Sequence, residues 1–207
     1  MLNKNFTIVD VETTGGSAAF SRVIEIGIIR VERGEVVGRF KSLINPQKEL
    51  PEFITEITGI NSQMLKKAPA FEEIAEDIFP LFEDSVFVAH NSNFDYQFLK
   101  AEFKRAGLAF NMDTLCTVRL SRVLYPDYKR HNLTALIERF NFKCKHRHRA
   151  YDDAKVLWDF LKFVYKKFPT AQIEAAIDRT IKKISPAKQK KLAKVLVPEL
   201  VYIEELF

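Results

Sequence analysis

The sequence contains few cysteines and no long apolar segment. Only two of its 207 residues are cysteines, Cys116 and Cys144, which excludes a disulfide framework as the means of holding the fold together. No apolar run approaches the roughly 20 residues that a membrane-spanning helix needs. The first five residues also lack the apolar stretch of a signal peptide. We therefore expect a cytoplasmic protein that does not enter a membrane.

Internal repeats and low-complexity segments are also absent from the sequence. With 47% hydrophobic residues, a chain of 207 residues can bury one sizeable core. The formal charge of +5 and the isoelectric point near 9.1 favour a polyanionic partner. Many basic proteins bind no nucleic acid, so the position of the charge matters more than its sum.

Strand and helix patterns alternate along most of the chain. β-rich apolar segments predict strands at residues 6–12, 23–31, 35–44, 85–89 and 111–114. Helical spacing predicts helices at about residues 71–82, 94–106, 116–124, 132–140 and 150–168. Strands interleaved with helices are typical of an α/β layered domain, which we predict for residues 1–169.

Residues 170–207 differ in character and are predicted to form a helical, basic extension. The pattern indicates a helix over about residues 171–184, then Pro186, a lysine-rich piece and an apolar end. Seven Lys or Arg and no acid lie between Arg179 and Lys194, which a solvated helix face explains. The apolar end favours packing against another surface.

Two acids end the first predicted strand. Successive strand side chains alternate between faces, so Asp10 and Glu12 project together from the face that also carries Phe6 and Ile8. Two neighbouring carboxylates on a core face need compensation by a cation, a shared proton or a bound metal.

Two more acids face inward from predicted helices. At about 100° per residue, Asp153 points away from the polar stripe of its helix, whereas Asp152 lies close to that stripe and is solvated. Asp95 lies on the apolar side of the helix that begins near residue 94. Glu102 lies near the same side but about two turns further on, and we set it aside.

Four inward acids without a cysteine set predict a site for Mg²⁺ or Mn²⁺ rather than zinc. Two such ions about 4 Å apart can stabilise the attacking and the leaving oxygen of a phosphoryl displacement, which is nuclease chemistry. His148, at the mouth of the helix that carries Asp153, is a candidate base for the attacking water. The alternative is a histidine that contacts a phosphate or is merely exposed.

The segment around His148 also suggests two other interpretations. Cys144, His146 and His148 alternate as zinc ligands would, but no fourth ligand with finger-like spacing follows. Seven Lys or Arg and three His against one acid lie over residues 129–149, so this stretch could hold phosphates close to the metals.

These residues fall in three ordered motifs. They are Val-Asp-Val-Glu-Thr-Thr-Gly at 9–15, Ala-His-Asn-Ser-Asn-Phe-Asp at 89–95 and His-Arg-Ala-Tyr-Asp-Asp-Ala at 148–154. With these motifs, about residues 5–167 resemble the DEDDh subgroup of 3′-to-5′ exonucleases, which includes the epsilon proofreading subunit of bacterial DNA polymerase III.

The resemblance implies both a fold and a set of catalytic residues. The fold is RNase H-like, with a central mixed five-stranded sheet whose first three strands are antiparallel, flanked by helices. Asp10, Glu12, Asp95 and Asp153 would bind two divalent ions, and His148 would act as general base.

The resemblance also implies substrate contacts. Backbone groups around Thr13 and Thr14 would contact the terminal nucleotide, and Asn91 would orient the second-motif turn and touch a phosphate. His90 and Phe94, from the same turn, complete the predicted substrate-binding set.

One position departs from the family pattern. Many relatives carry a bulky apolar residue, which wedges against the terminal base, where this chain has Gly16. Phe20 or a residue of the segment 50–60 would have to replace it.

We therefore expect a 3′-to-5′ exonuclease that releases nucleoside 5′-monophosphates from single-stranded DNA ends by a two-metal mechanism, in proofreading or repair. The alternatives are an RNA-trimming exonuclease, which contacts to the 2′-hydroxyl would decide, and a noncatalytic nucleic-acid-binding module associated with a polymerase. The extension over residues 170–207 could be a tether to a DNA polymerase, a homodimer contact or a helix packed back on the domain.

Overall fold

The computed structural model describes residues 4–184, which are built around a mixed β-sheet. Within this range six strands form the sheet: β1 (Phe6–Thr13), β2 (Val23–Glu32), β3 (Glu35–Leu43), β4 (Val86–Ala89), β5 (Thr114–Cys116) and β6 (Ile181–Lys182). Eight α-helices lie in the same range: α1 (Glu52–Thr58), α2 (Ser62–Leu65), α3 (Phe71–Ile78), α4 (Asn93–Arg105), α5 (Thr117–Leu124), α6 (Leu133–Phe140), α7 (Ala150–Lys167) and α8 (Thr170–Thr180).

The strand order is β3-β2-β1-β4-β5-β6. β1, β2 and β3 are antiparallel, whereas β4 pairs parallel with β1 and β5 pairs parallel with β4. The α/β class and the mixed sheet with three antiparallel first strands are confirmed. The described part of the sheet has six strands rather than the predicted five, because β6 adds antiparallel to the edge of β5.

The side chains of β1 pack into two cores, one on each face of the sheet. Phe6 and Ile8 belong to a core completed by α5, α6, α7 and α8. Val9 and Val11 belong to a core completed by α3 and α4. The alternation read from the sequence therefore places Asp10 on the face covered by α7.

A glycine lets α7 lie directly on the sheet. Gly27 pairs with Asp10 across β1 and β2, and a Cβ built on Gly27 would lie 2.4 Å from the Cα of Tyr151. No side chain fits between β2 and the first turn of α7, so any residue larger than glycine would push the helix away. This close approach brings the start of α7 next to the end of β1.

Two elements near the sheet edge differ from the sequence prediction. β5 comprises Thr114–Cys116 rather than the predicted residues 111–114. Because α5 begins at the next residue, the sequence pattern assigned the end of this strand to the helix. α8 ends at Thr180, short of the predicted end near residue 184, because β6 follows at once and fills the open edge of β5.

The described part of the predicted extension packs on the sheet. Ile173, Ala176 and Ile177 of α8 are buried in the core beneath α7. The boundary between residues 169 and 170 stays a prediction. The lysine-rich piece and the apolar end, residues 185–207, lie outside the described residues.

None of the helices in the described part of the chain combines the length and the apolar composition needed to cross a membrane.

Candidate active site

The first two acids of the site lie at the end of β1. Asp10 and Glu12 are partly exposed, whereas every other residue of the strand is buried. Both carboxyl groups line a pocket of about 270 Å³. The pairing with β2 shifts register between Glu12 and Thr13, so the strand bends away as the pocket begins.

α4 brings the third acid against β1. Asp95 lies in the first turn of the helix and is 3% exposed. The backbone N–H of Val11 donates a hydrogen bond to its Oδ1 at 3.2 Å. This bond fixes the start of α4 beside the strand that carries the first two acids.

An ion pair between Glu25 of β2 and Arg149 holds the start of α7 against the sheet. Glu25 is buried and accepts hydrogen bonds from Arg149, at 2.6 Å from Nη2, and from the backbone N–H of Ala150 at 2.8 Å. Because Ala150 is the first residue of α7, this contact supplies a partner to one of the N–H groups that a helix leaves unpaired. The fourth acid, Asp153, follows one turn later.

The two adjacent aspartates of α7 point in different directions, as the helical spacing predicts. Asp153 is 3% exposed and lines the pocket. Asp152 is more exposed, lies outside the pocket lining and accepts a hydrogen bond from the backbone N–H of His146.

The pocket brings together the four predicted acids and the predicted base. Its lining comprises Asp10, Val11, Glu12, His90, Asn91, Phe94, Asp95, Leu133, Arg147, His148 and Asp153. One ligand atom each of Glu12, His148 and Asp153 lie within 4.8 Å of one another. His148 adopts a left-handed backbone conformation, φ 60°, and its N–H donates to Asp153 at 3.2 Å.

Burial and mutual repulsion disfavour the charged form of these acids. Burial, followed by the charges of Asp95 and Asp153, raises the pKa of Asp10 well above its ordinary value. Burial, followed by the charges of Asp153 and Glu25, raises the pKa of Glu12 to about 8. Burial raises the pKa of Asp95 to about 7, although hydrogen bonds from backbone N–H groups oppose the rise. Without a bound metal ion, the pocket therefore holds protons near neutral pH.

A cation that the sequence did not single out lies among the acids. The guanidinium of Arg147 forms an ion pair with Asp153 and lines the pocket. Burial is the main influence on the pKa of Asp10 and of Glu12, and the charge of Arg147 opposes the rise that burial causes. The only sequence signal for Arg147 is its membership of the basic stretch over residues 129–149.

Three of the five predicted substrate-binding residues line the pocket. They are His90, Asn91 and Phe94. Burial lowers the pKa of His90 to about 4, so this imidazole is neutral at pH 7. Its Nδ1 lies 2.9 Å from the hydroxyl of Thr117.

The other two predicted substrate-binding residues lie in the turn after β1 and are not part of the pocket lining. The hydroxyl of Thr13 donates to the carbonyl oxygen of Gly15 at 2.8 Å. The hydroxyl of Thr14 accepts a hydrogen bond from the backbone N–H of Arg22 at 3.0 Å. Both threonine side chains are thus engaged in shaping the turn.

Glu102 points inward but away from the pocket. Its carboxylate is fully buried and accepts hydrogen bonds from Arg22 at 2.9 Å and from the backbone N–H of Val23 at 3.0 Å. It joins α4 to the start of β2, which is a structural role.

The alternating Cys144, His146 and His148 do not converge on one point. The thiol of Cys144 lies 3.6 Å from Asp153, whereas Nδ1 of His146 lies 3.0 Å from Asp152. Burial and the neighbouring Asp153 raise the pKa of Cys144 to about 11, so its thiol is neutral at pH 7. A cysteine binds zinc as the thiolate, so this divergent set with a neutral Cys144 does not favour a zinc site.

Comparison with known proteins agrees with this geometry. A family model described as exonuclease, RNase_T, matches residues 7–161. A PolC-type DNA polymerase III from Caldanaerobacter subterraneus subsp. tengcongensis is 40% identical over 166 residues, which cover 80% of this chain and 12% of that protein. The 3′-5′ exonuclease DinG from Bacillus subtilis is 39% identical over 158 residues, 75% of this chain and 17% of that protein.

Solved structures share the fold. E. coli exonuclease I in complex with a dA16 oligonucleotide superposes with a TM-score of 0.72 at 19% identity, over 84% of this chain and 43% of that chain. The chain spans less than a fifth of the length of the two curated relatives. The family model covers most of the chain, including all four acids of the pocket and the candidate base. The chain belongs to the RNase_T exonuclease family.

Proposed function

We propose that this chain is a metal-dependent 3′-to-5′ exonuclease that releases nucleoside 5′-monophosphates from single-stranded DNA ends. The observation that carries the proposal is the convergence of four carboxyl groups and the imidazole of His148 in a single pocket. The direction of digestion is supported by the relative from Bacillus subtilis, which is named a 3′-5′ exonuclease.

Asp10, Glu12, Asp95 and Asp153 would hold two divalent ions, Mg²⁺ or Mn²⁺. Carboxylate oxygens are the donors that these hard cations prefer. The raised pKa values of the acids point the same way, because a bound cation relieves the repulsion that opposes ionisation. When bound, such ions lower the pKa of a coordinated water and stabilise charge on the attacking and leaving oxygens.

His148 would act as the general base. In the proposed reaction its imidazole takes a proton from the attacking water while the water oxygen bonds to phosphorus and the bond from phosphorus to the 3′ oxygen breaks. Its exposed position beside Glu12 and Asp153 supports this role, because the ring is open to a substrate water. The hydrogen bond from its backbone N–H to Asp153 holds the loop at the pocket.

The pocket wall formed by the second motif would orient the terminal nucleotide. Phe94 is half-buried and offers an aromatic face to a base. Asn91 is exposed and carries amide donors suited to a phosphate oxygen. His90 would contribute hydrogen bonding rather than charge, since it is neutral at pH 7. The hydroxyl of Thr13 already donates to Gly15, whereas the hydroxyl of Thr14 only accepts in the turn and keeps its proton for a substrate oxygen.

An exposed apolar side chain would replace the wedge that Gly16 lacks. Phe20 is 77% exposed and follows the same turn. Phe53 and Ile57, one helical turn apart on α1, are 52% and 51% exposed. These side chains are available to support the terminal base, since they are among the most exposed large apolar groups of the described residues.

A proofreading or repair role, with a DNA polymerase as partner, is supported by the likeness to PolC-type DNA polymerase III. The contact to the polymerase or to a second copy of the chain would come from within residues 170–207, but not from Ile173, Ala176 or Ile177, which are buried in the core.

Digestion of labelled oligonucleotides tests the proposed function. Single-stranded and duplex DNA and RNA of one sequence, labelled at either end, are incubated with Mg²⁺ or with chelator. We expect stepwise shortening from the 3′ end, faster on single-stranded DNA, and no reaction in chelator. Faster digestion of RNA would identify an RNA-trimming enzyme instead. If no substrate is cleaved, the exonuclease proposal is wrong and the alternative is a noncatalytic nucleic-acid-binding module.

Adjacent aspartates on α7 provide a matched control. Asp153→Asn is expected to lower kcat by at least about a hundredfold, because it removes a ligand of the proposed metal site. Asp152→Asn should stay within about threefold of the wild type, since Asp152 lies outside the pocket. The opposite result would place the metal ligand at Asp152 and overturn the assignment.

A further inference from the structure

A second groove adjoins the acidic pocket and shares one residue with it. We name it the basic groove; its lining includes Arg119 and Arg122 of α5, Asn91, Ser92, Asn93, Tyr96 and Gln97 at the start of α4, and Thr180, Lys182, Lys183 and Ile184. Its volume is about 580 Å³. Asn91 lines both the basic groove and the acidic pocket, so the two adjoin at this residue.

The charge of the basic groove is opposite to that of the acidic pocket. Arg119, Arg122, Lys182 and Lys183 are exposed along it, and no acid is among its lining residues. Within residues 4–184 none of these four cations forms an ion pair. Four solvated cations along one groove attract a polyanion.

The floor of the basic groove is apolar. Tyr96 and Met112 are 9% and 8% exposed, and Val118 is partly exposed beside them. Cations at a rim and an aromatic or apolar floor suit a single nucleic-acid strand, whose phosphates face the charges while its sugars and bases contact the floor. A groove of this volume takes roughly one or two nucleotides, by comparison with the pockets that hold drug-sized ligands.

We propose that the basic groove binds the sugar-phosphate backbone of the single strand on the 5′ side of the phosphodiester that is cut. The proposal rests on the proposed exonuclease function, because it takes the acidic pocket as the place of the 3′ end. A strand that leaves the pocket past Asn91 would reach the basic groove, because Asn91 lines both. The groove would thus add affinity for substrates longer than the part held in the pocket, without touching the reacting atoms.

Removal of two cations from one helix tests the basic groove. The double variant Arg119→Gln/Arg122→Gln neutralises α5 at exposed positions. A matched control, Lys166→Gln/Lys167→Gln, removes two exposed cations at the far end of α7, about 20 Å from Asp153 along the helix. Two measurements are made on each protein. One is equilibrium binding in chelator of fluorescent oligonucleotides of two to twelve nucleotides at several salt concentrations, and the other is cleavage of a dinucleotide and of the twelve-nucleotide strand with Mg²⁺.

If the basic groove holds the strand, the groove variant binds the twelve-nucleotide strand at least about tenfold more weakly than the control variant. Its plot of log affinity against log salt should be shallower by about 1.4, because about 0.7 is lost for each phosphate contact to a single strand. Cleavage of the dinucleotide should be unchanged, and KM for the long strand should rise while kcat stays the same.

Equal affinities and equal salt slopes in the groove and control variants would overturn the proposal. The wild-type protein separates this failure from that of the proposed function. If the wild-type protein cleaves the dinucleotide but the groove and control variants bind the long strand equally, the exonuclease proposal stands and the proposal for the basic groove is wrong. If the groove variant binds the long strand more weakly but the wild-type protein cleaves no substrate, the exonuclease proposal is wrong and the basic groove is a nucleic-acid-binding surface.

Discussion

Arg147 forms an ion pair with Asp153 in the interior of the acidic pocket. A positive side chain therefore lies where the family resemblance implies divalent cations. Removal of one partner of a buried ion pair leaves the other charge uncompensated. Arg147 and metal ions should accordingly compete for the same carboxylates.

The variant Arg147→Gln tests this competition. In chelator we expect a lower midpoint of thermal unfolding, because the acids lose their counter-charge. The affinity for Mn²⁺, measured by isothermal titration calorimetry, should increase several-fold, since the metal no longer displaces a guanidinium. The control Lys155→Gln, on the exposed face of α7, should change neither quantity. Weaker Mn²⁺ binding in Arg147→Gln would instead make Arg147 a supporting residue of the metal site.

The raised pKa of Glu12 predicts how the stability of the metal-free protein depends on pH. Burial and neighbouring charge raise this pKa to about 8 in the folded state, whereas a carboxyl group in the unfolded chain titrates near about 4.3. Between these values the folded state binds more protons than the unfolded state, so stability decreases as pH rises. In chelator, the midpoint temperature of thermal unfolding should therefore decrease as the pH is raised from 5 to 8, because Glu12 loses its proton in the folded state.

Glu12→Gln should flatten that decrease, because glutamine has no proton to lose. Thermal unfolding followed by circular dichroism in chelator, at several pH values, measures the effect. Glu56→Gln, at an exposed position of α1, is the control and should follow the wild-type curve. An equally steep fall in Glu12→Gln would show that the contribution comes from other groups.

Replacement of His148 should change the pH profile as well as the rate. His148→Asn removes the imidazole and keeps a residue that tolerates a positive φ. We expect kcat to fall by about 10²- to 10⁴-fold, with loss of the acidic limb that a histidine base produces. His146→Asn is the control, since His146 lies outside the pocket lining. A variant at His148 that keeps the wild-type profile would remove the general-base role.

The contact between α7 and β2 predicts a difference between two glycines. Gly27→Ala should reduce the free energy of unfolding by about 1–3 kcal/mol, because the added Cβ meets the backbone at Tyr151. It should also lower activity, since α7 carries Asp153. Gly16→Ala should change stability by no more than about 0.5 kcal/mol, because no atom lies within 4 Å of its added Cβ. Urea denaturation of both variants makes the comparison, and equal stabilities would contradict it.

The sequence predicted the parts of the site that depend on periodicity. Strand alternation put Asp10 and Glu12 on one face, and helical spacing separated Asp153 from Asp152. Both follow from local backbone geometry, which repeats over whole elements. Tertiary contacts decide the positions of Arg147 and of β6. The position of Arg147 depends on a loop in which the next residue, His148, has a left-handed backbone conformation. β6 forms because the end of α8 lies beside the open edge of β5.

The arrangement of α4 and α7 has an electrostatic consequence. Asp95 lies in the first turn of α4 and Asp153 in the first turn of α7, so the amino-terminal ends of two helices meet at the pocket. The partial positive charge of a helix amino terminus stabilises a nearby carboxylate by about 0.3–1 kcal/mol. The peptide dipoles of two helices thus offset part of the repulsion among the four acids, and they do so whether or not a cation is bound.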